Sequence, residues 1–140
     1  MKVNLTLILF FAISQAFGQS AFSIGTFKMT IKGTSNLHDW ESTAKEVRAK
    51  GDINLQQGKF TAINTLSVEI PVKSIKSTKG SIMDNKTYDA LKADSHANIT
   101  FKLEGVTPIK SQQDGYSVTA SGNLAIAGTT KKIELTVKGK

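Results

Sequence analysis

His38-Asp39 is the one place in the chain where an imidazole stands next to a carboxylate, the combination a general base uses. Adjacent residues on an extended chain point to opposite faces, so this spacing alone does not make a dyad. A corner histidine that hydrogen-bonds backbone groups is the simpler account. His96 stands near Asp94, and two histidines with a carboxylate could ligate zinc, but neither histidine has the spacing of a metal motif. The chain has 0 Cys, which excludes thiol catalysis and Cys-ligated zinc. No serine sits in a nucleophile elbow, and no Gly-rich phosphate loop follows a strand. With only 2 His and 0 Cys, the expectation is a protein that is not an enzyme, with no catalytic residues, no metal and no cofactor.

The elements that would position any site read almost entirely as strands. Phe27, Met29 and Ile31 alternate with Thr and Lys, and Gly33 to Asp39 form a polar corner. Trp40 opens a long segment with Ser42 and Ala44 on one parity and Val47, Ala49, Gly51, Ile53 and Leu55 on the other. The switch of parity near Lys45-Glu46 predicts a β-bulge. Leu66, Val68, Ile70 and Val72 form the next apolar parity, with Pro71 on the other and so near a strand end, an edge or a bulge. Ser81 to Lys92 is the only stretch after the N-terminal apolar run where a helix is expected, with Ser81 as N-cap, Asp84 completing a capping box, and Met83, Thr87, Ala90 and Leu91 in one stripe. Strands resume at Ile99, Phe101 and Leu103. A hairpin turn follows at Asp114-Gly115, and two further strands carry Val118, Ala120, Leu124 and Ile126, then Ile133, Leu135 and Val137. The count is about six strands and one short helix, with no βαβ rhythm.

Lys2 followed by the apolar run Leu5 to Ile13 and by Ala16-Phe17-Gly18 reads as a signal peptide over residues 1–18, because the run is shorter than the roughly 20 residues that span a bilayer. Residues 19–140 then form one exported domain, periplasmic or secreted. The formal net charge is +7. The lysines are scattered over strands and turns, which suits a solvated face and peripheral contact with an anionic membrane surface. Phe27, Trp40 and Phe101 sit at core parity and are not interleaved with exposed lysines, so nucleic acid is not an expected partner. An antiparallel sheet of this size has two edges with unpaired backbone groups. It either closes on itself or is covered by another segment or chain, a homodimer being one such solution. The apolar interior could be a filled core or a lined pocket; periodicity does not separate the two.

Four stretches, in order, resemble one family. They are Ser35-Asn36-Leu37-His38-Asp39-Trp40, then Ile70-Pro71-Val72-Lys73-Ser74-Ile75-Lys76-Ser77, then Asp84 to Lys92 with Asn98-Ile99-Thr100-Phe101, and finally Gly122 to Lys131. Together they are similar to the opening corner, the strand ending in Ser-Ile, the helix with its Ile-Thr-Phe strand, and the Gly-x-Leu-Thr-Ile-x-Gly-Val-Thr-Lys run of the YceI-like domain proteins. The likeness extends from about Phe27 to Val137, with Ala97 where the family often has Pro and Thr129 where it often has Val.

The resemblance implies an all-β fold, an elongated antiparallel lipocalin-like β-barrel whose pore binds a polyisoprenoid such as an isoprenoid quinone or a prenyl lipid, without catalysis. Carried over by parity, the ligand-binding positions are Met29, Ile31, Trp40, Val68, Ile70, Met83, Leu91, Phe101, Leu124 and Ile126. The helix from Ser81 to Lys92 would cover one end of the pore, with Met83 and Leu91 facing inward. Family members usually continue past the equivalent of Lys140 to the eight strands of such barrels, so an open or incomplete barrel is expected here. The alternative to a lipid carrier is then an incomplete barrel that acts as a dimeric or protein-protein interaction module of the cell envelope.

Overall fold

The computed structural model describes residues 19–57 and 59–139. The expected signal peptide, residues 1–18, lies outside them. Ten strands are present among the described residues: β1 (Gln19–Ser23), β2 (Met29–Gly33), β3 (Trp40–Ala44), β4 (Arg48–Gln56), β5 (Lys59–Pro71), β6 (Ile75–Ser77), β7 (Asn98–Val106), β8 (Lys110–Gln112), β9 (Gly115–Ile126) and β10 (Thr129–Gly139). One helix, α1 (Ser81–Ala90), interrupts them. All pairings are antiparallel. The large sheet runs β1-β4-β5-β7-β9-β10, with β8 also on β9; the small sheet runs β2-β3-β6.

The larger number of strands has two sources: β1 and β8 were not among the expected six, and two of the six are each divided between the sheets. β1 and β2, β3 and β4, and β5 and β6 are each one stretch of chain that starts in one sheet and finishes in the other. The predicted bulge at Lys45-Glu46 is instead such a crossing. Ala44 and Val47 stand on opposite parities and are both buried, at 2% and 8% exposure. A flat strand cannot bury both parities against one layer, whereas a chain that changes sheets can. The third crossing is a turn of 3-10 helix, Val72–Ser74, which follows Pro71 at the last position of β5. The last two crossings are tied together: the Lys45 N–H donates to Ser74 O at 3.0 Å, and the Ser74 hydroxyl donates to Glu46 O at 3.3 Å.

The main apolar cluster fills this corner. Ala44, Val47 and Ile75 are buried at its centre, and Ile24, Met29, Ile31, Val68, Ile70, Leu91 and Ile99 pack around them. Val72, 1% exposed, is the largest fully buried side chain. A second buried patch lies on β7 and β9, where Phe101, Val118 and Ala120 are covered. Gly122 is required there: a Cβ at this position would lie 2.6 Å from Phe101 Cζ.

The helix departs from the expected capping. Gly80, at φ +86°, is the N-cap, a conformation glycine adopts without steric cost, and there is no side-chain cap. Asp84 does not reach back to close a capping box. It is buried against β6, where its Oδ1 accepts the Ser77 N–H at 2.7 Å and its Oδ2 lies 3.5 Å from Lys76 Nζ. Tyr88 continues the same seam, its hydroxyl directed at Lys73 O (3.0 Å) and Ile75 O (3.1 Å) while Lys76 Nζ donates to it at 2.6 Å. Since β6 is an edge of the small sheet, its outward backbone groups lack a strand partner, and these two side chains supply the missing bonds. The stripe is accordingly displaced from the expected one: Met83, Thr87 and Leu91 are half-buried, but Ala90 is exposed and Asp84 buried in its place.

Candidate functional site: an apolar sheet face

Register fixes which side chains share a face. In successive rows the apolar face carries Gly51 and Leu66; Ala49, Val68, Phe101 and Leu124; Ile70 and Ile99; Leu103, Gly122 and Ile133; Val106, Ala120 and Leu135; Val118 and Val137. Apart from Val106 and Gly122, these are positions the alternation placed on one parity of a strand, and the structure joins them across five strands into one surface. Most of that surface is not filled by the chain's own side chains. Phe101, Val118 and Ala120 are buried, whereas Leu66, Val68, Ile70, Leu103, Leu124, Ile126 and Ile133 are only half-buried, and Leu135 and Val137 remain 43% and 36% exposed.

The ten candidate ligand positions divide into groups. Met29, Ile31, Val68, Ile70 and Leu91 meet at the corner cluster. Phe101 and Leu124 are cross-strand partners next to Val68, and Ile126 follows Leu124 on the same face. Trp40 lies at the far end of β3, where its indole covers Gly33 of β2. Met83 is half-buried on the first half of α1 and is not among the residues packed around the cluster. Leu91, the residue just after α1, reaches the corner, while the helix itself lies along the edge of the small sheet.

Sequence reasoning missed three contributors. β1 was not anticipated, although it brings Phe22 over Gly51 at one border of the apolar face. Five residues beside Ile24 and Gly25 give too little alternation to mark a strand. Phe60 and Tyr116, distant in sequence, stack at 4.8 Å between ring centroids. They bridge a seam: β5 pairs with β7 only from Ser67 to Pro71, and the rest of β5 pairs with β4 alone. The groove at this seam, of about 620 Å³, takes its lining from both faces, including Lys50, Ser67 and Lys102 on one side and Phe22, Leu66 and Leu103 on the other.

The polar face is organised by ion pairs. Arg48 bridges Glu46 and Glu69, and its guanidinium is held above its ordinary pKa chiefly by the bond to Glu46. Glu104 occupies the irregularity between Leu103 and Gly105 in β7 and reaches Lys132 on β10 at 2.9 Å. Its carboxyl is held below the usual range by the Lys132 bond first and by Asn123 second. Of the groups with catalytic potential, His38 and Asp39 are exposed, with the His38 backbone bonded to Ser35, and His96 lies against the turn at Gly128. Among the described residues no three His, Asp or Glu side chains gather in a way that could hold a metal ion.

The YceI-like domain matches over residues 11–140. The chain belongs to the YceI-like domain family. Among solved structures the fold is similar to Burkholderia cenocepacia BcnA, at 17% identity and a TM-score of 0.53, over 76% of this chain and 63% of that one. It is also similar to the Campylobacter jejuni YceI protein, at 23% identity and a TM-score of 0.54, over 96% of this chain and 67% of that one. This chain therefore spans about two thirds of the length of the YceI relatives it resembles. No curated protein sequence matches it. The YceI-like family is a family of binding proteins, generally polyisoprenoid-binding barrels and typically periplasmic. Its lipocalin-like architecture is present here as a mostly antiparallel sheet with one short helix, and among the described residues the sheet does not close into a barrel.

Proposed function

We propose that this protein is an exported, non-catalytic carrier that holds the hydrocarbon chain of a polyisoprenoid, such as a prenyl quinone, against the apolar face of its large sheet, and that residues 1–18 direct its export. The observation that carries this reading is the row Val68, Phe101 and Leu124, with Leu66, Leu103 and Ile126 beside it: large aliphatic and aromatic side chains in continuous register, of which only Phe101 is buried. A soluble protein rarely leaves so much contiguous apolar surface without a partner. Burial of apolar surface is worth about 25 cal/mol per Å², so covering about 400 Å² of an isoprenoid chain offers about 10 kcal/mol before ordering costs. Family membership supports the class of ligand.

Native mass spectrometry of protein purified from its own host, followed by lipid extraction, tests the reading. The expected result is a bound isoprenoid, or stoichiometric uptake of an added prenyl quinone that falls more than tenfold in Leu124→Asp. Protein that is recovered ligand-free and takes up no prenyl quinone overturns it.

A further inference from the structure

Lys50, Ser67 and Lys102 occupy one register row on the polar face, Lys50 paired with Ser67 and Ser67 with Lys102. Neighbouring strands lie about 4.8 Å apart, so the two lysine backbones are separated by about 10 Å, with the serine between them. Flexible four-carbon stems let both ammonium groups converge over the serine hydroxyl. Two of the surrounding carboxylates are ion-paired elsewhere, and the third bonds a neutral hydroxyl. Glu69 accepts from Arg48 Nη1 at 2.7 Å, Glu104 meets Lys132 Nζ at 2.9 Å, and Asp52 accepts the Thr65 hydroxyl at 3.4 Å. Among the described residues neither Lys50 nor Lys102 takes part in an ion pair. Two like charges flanking a hydroxyl repel each other in the free protein and favour an anion between them, and the Asp52 carboxylate one row away forms no ion pair with either lysine.

The position of this row gives the anion a context. Lys50, Ser67 and Lys102 line the groove at the seam between β5 and β7, and the same groove reaches Phe22, Leu66 and Leu103. Asp52, one row further along, lines it too and marks its acidic side. Cationic and apolar walls thus meet within one opening. We propose that Lys50, Ser67 and Lys102 form an anion site at the mouth of this groove, and that it takes the phosphate or diphosphate group of an amphiphile whose hydrocarbon chain lies on the apolar face. The proposal rests on the reading of that face as an isoprenoid surface and narrows the ligand to one with a phosphorylated head.

Farnesyl diphosphate, farnesol and inorganic diphosphate separate the two parts when titrated against the purified protein. The expected result is at least tenfold tighter binding of farnesyl diphosphate than of farnesol. Combining Lys50→Gln with Lys102→Gln removes that preference, about tenfold for each ammonium–phosphate bond that can no longer form, and leaves farnesol affinity and the urea midpoint unchanged. The pair Lys79→Gln and Lys86→Gln, which removes the same charge near α1, keeps the preference. Inorganic diphosphate that binds the unaltered protein as tightly as farnesyl diphosphate, and not the Lys50/Lys102 variant, supports the anion site and makes free phosphate its source. Equal affinity for farnesol and farnesyl diphosphate, or a preference that survives the double substitution, overturns the anion site while the apolar-face reading stands. Binding of neither prenyl compound overturns both.

Discussion

Ile75 and Leu135 are both aliphatic residues on strands, yet Ile75 is 2% exposed and Leu135 is 43% exposed. The difference lies in what faces them. Ile75 stands where three stretches of chain that change sheets meet, and Met29, Ile31, Val68, Ile70 and Leu91 pack around it. Leu135 stands on β10, the last strand of the large sheet, which pairs with β9 alone, and with Val137 on the same face it stays exposed while Ile133 is half-buried. One end of the molecule is a packed corner, and the other is an apolar wall. The corner gives the fold its stability, and the wall leaves its apolar side chains partly uncovered.

Substitutions at these two residues break or sharpen the comparison most directly. Ile75→Ala should destabilise the protein by about 3 kcal/mol, the usual cost of emptying a well-packed aliphatic site, whereas Leu135→Ala should cost less than about 0.5 kcal/mol. Urea denaturation of both variants measures this, and comparable losses would mean that the wall is packed as tightly as the corner. A smaller effect is expected where α1 seals the edge of the small sheet. Asp84→Ala leaves the Ser77 N–H without its acceptor and should cost about 1–2 kcal/mol, and Asp84→Asn, which retains an acceptor, should restore most of it. Hydrogen exchange at the Ser77 amide reads the same bond, and slow exchange persisting in Asp84→Ala would assign the protection to something other than the helix.

The smallest effect belongs to the polar side of the wall. Glu104 has its pKa lowered by Lys132 and Asn123. A carboxyl with a folded pKa below its unfolded value of about 4.3 adds stability that is complete above that value and is lost as pH falls through the folded pKa. The stability of the unaltered protein should therefore decline on the acid side more than that of Glu104→Gln. Because the pair is exposed the difference is small, and it should shrink further at high salt. Urea midpoints at pH 6 and pH 3 in low salt test this, and parallel declines would show that Glu104 and Lys132 contribute nothing.

Much of this was legible in the chain because alternation is local. Leu66 to Ile70, Ile99 to Leu103 and Ile133 to Val137 each declare which side is apolar, and Ala127-Gly128 and Asp114-Gly115 declare turns. The four motifs that pointed to the YceI-like family agree with the domain match over residues 11–140. What stayed hidden depends on partners distant in sequence. The parity switch at Lys45-Glu46 was visible, but that it marks a change of sheet depends on Ser74, to which Lys45 donates. Asp84 has the spacing of a capping box, and only the nearby free edge of β6 explains why its carboxylate turns to Ser77. Lys50 and Lys102 look like two among many scattered lysines until the register places them on either side of Ser67.

The turn at Ala127-Gly128 has a bearing on the order of assembly. Both residues have positive φ, +50° and +82°, the mirror-image geometry that suits the twist of a tight hairpin. From it eleven pairs follow without a shift, from Thr129 with Ile126 to Gly139 with Tyr116. Closing so short a loop costs little chain entropy, whereas the small sheet must bring Ser77 to Ser42 across the whole of β4 and β5. Local pairing of this kind is the faster to form. The hairpin can thus display Ile133, Leu135 and Val137 while the corner is still open, and in that interval the young chain is most exposed to stray hydrophobic encounters.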